Sequence, residues 1–218
     1  MATLFSLIFS NFVAAKLKPK ATMAEENITK KNEERYPRFA NFGELLFWSY
    51  ANLQMLLAAR SMGKAKYDRP CYAVRAKAFK AYKEGRWNIH DLFENNIAKM
   101  KSDSFCWYCG KEFENKRELT IDHVFPRSKG GTNDMDNIIM VCKHCNSSKR
   151  DTDLLKWYFE SRHEFPPLFI LAHYLKQIYI YAKDNDLLTK HREEMDAMQL
   201  PFNYKYIPLK YPQPELYL

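Results

Sequence analysis

Ser104 to Arg150 reads SFCWYCGKEFENKRELTIDHVFPRSKGGTNDMDNIIMVCKHCNSSKR, and two Cys-x-x-Cys pairs within it decide the fold: Cys106 with Cys109, and Cys142 with Cys145. Two thiolates so spaced grip one metal ion from a tight turn, and two such turns supply all four ligands of a tetrahedral zinc at about 2.3 Å. Taken singly, either pair reads equally well as a thiol redox motif or as two small buried hydrophobes. The setting of each in a polar turn, Tyr108-Cys109-Gly110-Lys111 and Cys142-Lys143-His144-Cys145-Asn146, favours the metal. Four cysteines close the coordination sphere, so the zinc is expected to be structural, supplying folding free energy and not chemistry. Between the pairs lie 32 residues, more than the ~12 to 20 of an ordinary two-knuckle ribbon. Something is inserted between the knuckles.

The insertion alternates on a strand period from Thr120, with Ile121, His123 and Phe125 on one face and Asp122 and Val124 on the other. Pro126 ends the strand, since it cannot donate to a ladder. The tract from Arg127 to Asp134, with Gly130-Gly131 at its centre, is a loop by composition. Ile138 to Val141 returns as an antiparallel strand into the second knuckle. A helix is expected from Asn146, with Leu154, Leu155, Tyr158 and Phe159 on its 3.6-residue repeat. The expected product is a strand, a loop, a strand and a helix clasped at the base by zinc.

This combination resembles the HNH endonucleases, whose fold is the ββα-metal motif. The matching residues are Asp122-His123 before Pro126, Ser128, Gly130-Gly131, Asn137, the Cys142–Cys145 knuckle, Asn146 and Lys149, about 50 residues of the 218. The resemblance implies that Asp122 is a carboxylate ligand of a catalytic divalent metal and His123 the general base. It also implies that the amide of Asn137 ties the two strands together through backbone hydrogen bonds. Asn146 stands where the family carries a metal-binding His or Asn. An asparagine there makes the site harder, favouring Mg²⁺ or Mn²⁺ over zinc.

The residue types suit phosphodiester hydrolysis in themselves. An imidazole takes a proton from water near neutral pH, and a cation stabilises the departing 3′ oxygen. Adjacent strand residues point to opposite faces, so a local distortion is expected where Asp122 and His123 must reach one phosphate. Lys149 and Arg150 fall one turn beyond Asn146, placed to hold a phosphate or simply to form a solvated helix face. Arg127 and Lys129 lie in the loop beside the site. His144 is read as a surface residue. Taken alone, His123 reads as a partly exposed strand histidine and Asp122 as a turn or salt-bridge carboxylate; their company with Asn146 and the zinc pairs turns the reading to a nuclease site.

Outside this segment the chain is basic, with net charge +8 and pI about 9.1. Residues 60–101 hold eleven Lys or Arg against four Asp or Glu, whereas residues 151–200 hold six against nine. The excess lies just before the candidate nuclease segment, as a duplex-binding surface would.

Residues 1–35 are expected to be a poorly ordered extension. Their apolar run is too short for a bilayer, which needs about 20 residues, and lacks the basic start and cleavage site of a secretory signal. An acid-free, basic start fits an organelle transit peptide, or an upstream extension if Met23 is the true start. Residues 36–101 are expected to be helical: an apolar core helix over Phe39–Met62 closed by Gly63, a second over Cys71–Glu84, and a third over Ile89–Met100. Arg75, Lys77, Lys80 and Lys83 on the second either grip a nucleic-acid backbone or make an ordinary solvated side. Cys71 is expected to be buried.

The nuclease core spans 102–162 and C-terminal helices span 163–200, beginning with an aromatic core helix over Leu168–Lys183 after Pro166-Pro167, followed by a short charged helix around Leu187–Met198. The tail 201–218 is expected to be extended, wrapping the body or binding a partner.

The expected architecture is α+β, a small zinc-clasped ββα-metal core flanked by helices. The expected function is metal-dependent cleavage of double-stranded DNA in a reducing, intracellular compartment, cytoplasmic or organellar, with no membrane association. A zinc-dependent nucleic-acid-binding module without catalysis, and a nuclease acting on RNA, stay open, as does a homodimer or a protein partner.

Overall fold

The computed structural model describes residues 39–89 and 104–217. The extension expected over residues 1–35 lies outside them, as does all but the first residue of the helix expected over Ile89–Met100.

The first helix, α1 (Phe42–Ser61), starts where Asn41 accepts a hydrogen bond from the Glu44 amide. Its cap is an asparagine because a short side-chain carbonyl satisfies a free amide of the first turn. It is apolar on nearly every side, and Leu46, Tyr50, Leu53 and Leu56 are fully buried. A helix without a polar face belongs at the centre of a fold. Around it lie α2 (Arg69–Lys83), capped by Asp68 with Pro70 in its first turn, and the aromatic helix α5 (Leu168–Asp184).

Between them the chain builds a two-stranded antiparallel sheet from β1 (Leu119–His123) and β2 (Ile138–Cys142), in register from Leu119↔Cys142 to His123↔Ile138. Asp122, Val124, Ile139 and Val141 turn inward, while Ile121 is exposed and His123 half-buried. Phe125 departs from the expected alternation. The strand ends at His123 and the chain bends, which carries Phe125 into the core against Tyr174, Tyr181 and Phe202.

The long helix expected from Asn146 is three pieces. Cys142 caps α3 (Lys143–Lys149), so the helix begins inside the second knuckle and stops at Arg150, whose backbone is left-handed at φ 52°. Asp153 then caps α4 (Leu154–Lys156), which runs into a π-helical turn, Trp157–Arg162. The charged helix expected around Leu187–Met198 is confined to α6 (Arg192–Ala197), because the chain before it hydrogen-bonds to the start of α1: Phe42 donates to Lys190 O and Gly43 to Leu188 O.

The tail wraps the body. Phe202, Tyr204, Ile207 and Tyr211 are buried, Trp48 Nε1 donates to Leu209 O (2.9 Å), and Tyr67 Oη to Pro212 O (2.7 Å). One contiguous apolar core joins helices, sheet and tail. The architecture is α+β, and no described helix is long and apolar enough to cross a membrane.

Candidate metal centre and active site

The two knuckles meet at the base of the sheet. In the first, a bridge between Phe105 and Glu112 closes the turn and Gly110 donates to Cys106 O (2.8 Å). In the second, Cys142 Sγ accepts the amide of Cys145 (3.4 Å). The sulfurs of Cys106, Cys109, Cys142 and Cys145 all lie within 4.8 Å of one another. Tetrahedral zinc at 2.3 Å per bond places its sulfurs about 3.8 Å apart, so the cluster fits that ion. The thiols share protons among themselves. Hydrogen bonds from Cys106 and Cys145 hold the Cys109 thiol well below its ordinary range, while donation to Cys109 raises Cys106 and hydrogen bonding with Cys106 raises Cys145. A dication is the usual replacement for such shared protons. Outside the sulfurs, Arg162 lies over Trp157 (5.2 Å) and points Nη1 at Cys145 Sγ (3.8 Å), bringing a positive charge to a thiolate cluster.

The inward face of β1 carries Asp122. Its Oδ2 accepts from Tyr108 Oη (2.8 Å) and lies 3.0 Å from Lys149 Nζ; its Oδ1 has no protein partner among the described residues. Tyr108 is fully buried, and burial with the Asp122 charge beside it keeps the hydroxyl protonated.

Lys149 was expected on an outer face, holding phosphate. It is instead fully buried, its Nζ donating to His123 O (3.0 Å) and Arg150 O (3.4 Å) as well as pairing with Asp122. Lys149 does share a face of α3 with Asn146, but that face packs against β1, Asn146 reaching Ile121 O and Lys149 reaching His123 O. Burial lowers the lysine's affinity for its proton and the Asp122 charge opposes that.

On the outer side, His123 Nε2 lies 3.0 Å from Asn133 Oδ1. Asn146 Nδ2 donates to Ile121 O (3.3 Å), which leaves Asn146 Oδ1 without a protein partner among the described residues. Asn137 is fully buried and fixes the loop between the strands. Its Oδ1 accepts the Phe125 amide (2.7 Å), and its Nδ2 donates to Phe125 O (2.9 Å) and Thr132 O (2.8 Å). The glycine pair follows from this packing. A Cβ at Gly131 would meet Phe125 O at 2.0 Å and Asn137 Nδ2 at 2.9 Å, and Gly130 holds φ 95°. The structure thus places all four expected site residues along β1 and the loop that follows it: Asp122 on the inward face, His123 and Asn146 on the outer side, and Asn137 buried beneath the loop. Sequence reasoning missed Tyr108, taken as part of a polar turn, and Asn133, taken as loop; neither carries a periodic or pairwise signal.

The basic residues fare unevenly. Arg127 and Arg150 are exposed, Lys129 half-buried. On α2, Lys77 is exposed, but Lys80 pairs with Glu84 and Lys83 with Glu44. Arg75 is drawn inward, between Trp48 (4.6 Å) and Tyr72 (5.2 Å), with Nη1 on Asn52 Oδ1 (3.3 Å).

Residues 106–152 match the family model described as HNH endonuclease. The chain is 40% identical over 93 residues to the CRISPR-associated endonuclease Cas9 of Corynebacterium diphtheriae, a match covering 39% of this chain and 8% of that protein. It is 30% identical over 115 residues to the SPbeta prophage-derived putative HNH endonuclease YoqL of Bacillus subtilis, covering 46% of this chain and 49% of that protein. The chain therefore spans about half the length of one curated relative and a small part of the other. No solved structure matches it.

Proposed function

We propose, from the premise that residues 106–152 are an HNH endonuclease domain, that this chain hydrolyses phosphodiester bonds of double-stranded DNA with His123 as general base. The observation that carries the reading is the donor set at the end of β1. His123 stands on the outer side with one nitrogen facing Asn133, and Asp122 and Asn146 each keep one oxygen free of protein partners.

Asn133 offers its carbonyl oxygen to Nε2, so Nε2 carries the proton and Nδ1 keeps the lone pair that accepts a proton from the attacking water. Asp122 Oδ1 and Asn146 Oδ1, both hard oxygens, would hold Mg²⁺ or Mn²⁺. Bound there, the cation supplies positive charge for the scissile phosphate and the departing 3′ oxygen. Asn137 keeps the loop and the strand end in one geometry while the water attacks in line, and 5′-phosphate and 3′-hydroxyl ends result. Lys149 balances the buried side of the Asp122 carboxylate, and the exposed Arg127, Arg150 and Lys77, with Lys129, contact the backbone. The four cysteines hold zinc, which supplies folding free energy and takes no direct part in the chemistry. Their reduced state fits a reducing, intracellular compartment.

The test is supercoiled plasmid incubated with wild type and His123→Ala in Mg²⁺, in Mn²⁺ and in EDTA, with duplex RNA in parallel. The expected outcome is metal-dependent nicking or linearisation of DNA that falls on the order of 10²- to 10⁴-fold in the variant. Cleavage of RNA alone would move the substrate. A salt-sensitive gel shift without cleavage by the wild type would replace the enzyme with a binding module.

A further inference from the structure

Tyr108 lies between Cys106 and Cys109, so the zinc knuckle fixes its backbone from both sides. Its ring is clamped as well, 5.2 Å from Trp157 and 6.1 Å from Tyr158, and the Tyr158 hydroxyl donates to Tyr108 O (2.9 Å). From this position the Tyr108 hydroxyl reaches Asp122 Oδ2 at 2.8 Å, the oxygen that Lys149 also contacts at 3.0 Å. Two donors converge on one oxygen of the carboxylate and, among the described residues, none reaches the other. A structural zinc has no need of a hydroxyl aimed at a carboxylate on a neighbouring strand, and a core would be equally well filled by phenylalanine.

We infer that the first zinc knuckle is also a positioning device for the catalytic cation: Tyr108 holds Asp122 by Oδ2, fixing the carboxylate so that Oδ1 serves as ligand. Hydrogen bonds of this kind orient metal-binding carboxylates, and their removal typically weakens metal affinity 10- to 100-fold. Tyr108 is a positioning residue, acting through Asp122. The inference rests on the proposed role of Asp122 as a ligand. Through it the two ions are linked in one direction: the zinc knuckle sets the tyrosine, and the tyrosine sets the ligand.

The experiment measures Mn²⁺ affinity of the zinc-loaded full chain by electron paramagnetic resonance, without nucleic acid, for wild type, Tyr108→Phe, Tyr50→Phe and Asp122→Ala. Tyr108→Phe is expected to bind Mn²⁺ about tenfold more weakly with unchanged zinc content, and its cleavage to recover as Mn²⁺ is raised. Tyr50→Phe, which removes a buried hydroxyl that donates to Ala172 O and touches neither Tyr108 nor the carboxylate, is expected to bind as the wild type does. Asp122→Ala is expected to abolish binding at this site.

Wild-type affinity in Tyr108→Phe beside a dead Asp122→Ala overturns the role of Tyr108 and leaves the metal site standing. Equal weakening by Tyr50→Phe overturns it too, as general loosening. Unchanged affinity in Asp122→Ala overturns both readings. Should Tyr108→Phe lose its zinc, wild-type protein labelled at tyrosine Cζ and titrated with Mg²⁺ decides by NMR: the Tyr108 resonance is expected to move to saturation, and a stationary one overturns the inference.

Discussion

In α1 a side chain contributes by what it hides, whereas between Cys106 and Cys145 it contributes by what it bonds. Leu46, Leu53 and Leu56 are fully buried and make no directional contact. In the clasp, Asn137 makes three hydrogen bonds to main chain, Asp122 takes two donors on one oxygen, and a lysine is buried whole. Apolar burial is non-directional and graded with area. A buried polar network is worth having only when each member is satisfied. The helical frame should therefore yield in proportion to what is removed from it, and the clasp should fail as a unit.

The sharpest way to break that contrast is Cys142→Ser. Cys142 is one of the four cysteines grouped closely enough to hold a metal ion, the last residue of β2 and the cap of α3. A structural zinc contributes roughly 10–16 kcal/mol in small metal-folded peptides, more than any one side chain here. The expected outcome is loss of zinc, of metal-dependent cleavage and of hydrogen-exchange protection over Leu119–His123 and Ile138–Cys142, with helical circular dichroism from the frame largely kept. Frame and clasp melting together would show that the shared core overrides the difference between them.

The smaller counterpart is Leu56→Ala in the frame. Emptying a fully buried leucine site costs about 2–5 kcal/mol, read as a lower urea midpoint. Zinc content and Mn²⁺ affinity are expected to stay at wild-type levels. A drop in either would mean that α1 transmits strain into the clasp.

The same contrast explains what could be read from sequence. The four cysteines, Asn137 and the glycine pair were legible because each performs a structural task that few residue types can perform at that spacing. Gly131 is the clearest case, since any Cβ there strikes the Phe125 carbonyl. The helices over Phe42–Ser61, Arg69–Lys83 and Leu168–Asp184 were legible from period and caps, within three residues at each end. What failed was partnership. Lys149 keeps Asn146's face of α3, but that face packs on β1 and takes the lysine into the core, and no local pattern announces that. Arg75, Lys80 and Lys83 read as a basic stripe, yet three-dimensional neighbours, Trp48 and Glu44 among them, occupy two of the three. Tyr108 and Asn133 look like turn residues because their partners are 14 and 10 positions away.

The seam between the two regions holds the smallest predicted effect and the one most specific to this fold. His173, on α5, places Nδ1 3.2 Å from Asp136 O, in the turn that delivers Asn137 to the loop, and Lys176 pairs with Asp136 at 2.6 Å. Burial pushes the His173 imidazole down to about 4, with the Asp136 carbonyl opposing and the Lys176 charge assisting. In the unfolded chain it titrates near its ordinary value of about 6.5. As pH falls below 6.5 the unfolded state takes up a proton that the folded state refuses, so stability present above 6.5 is lost until the folded imidazole also protonates near 4. The full loss is about 3 kcal/mol. His173→Gln removes the titration, so its stability relative to wild type should rise as pH falls from 7 to 4.5, measured by urea unfolding. The zinc thiolates and carboxylates titrate in both proteins and cancel in the difference. A difference independent of pH would mean that His173 accepts its proton inside the fold, and that frame and clasp are joined there by a charge and not by a neutral hydrogen bond.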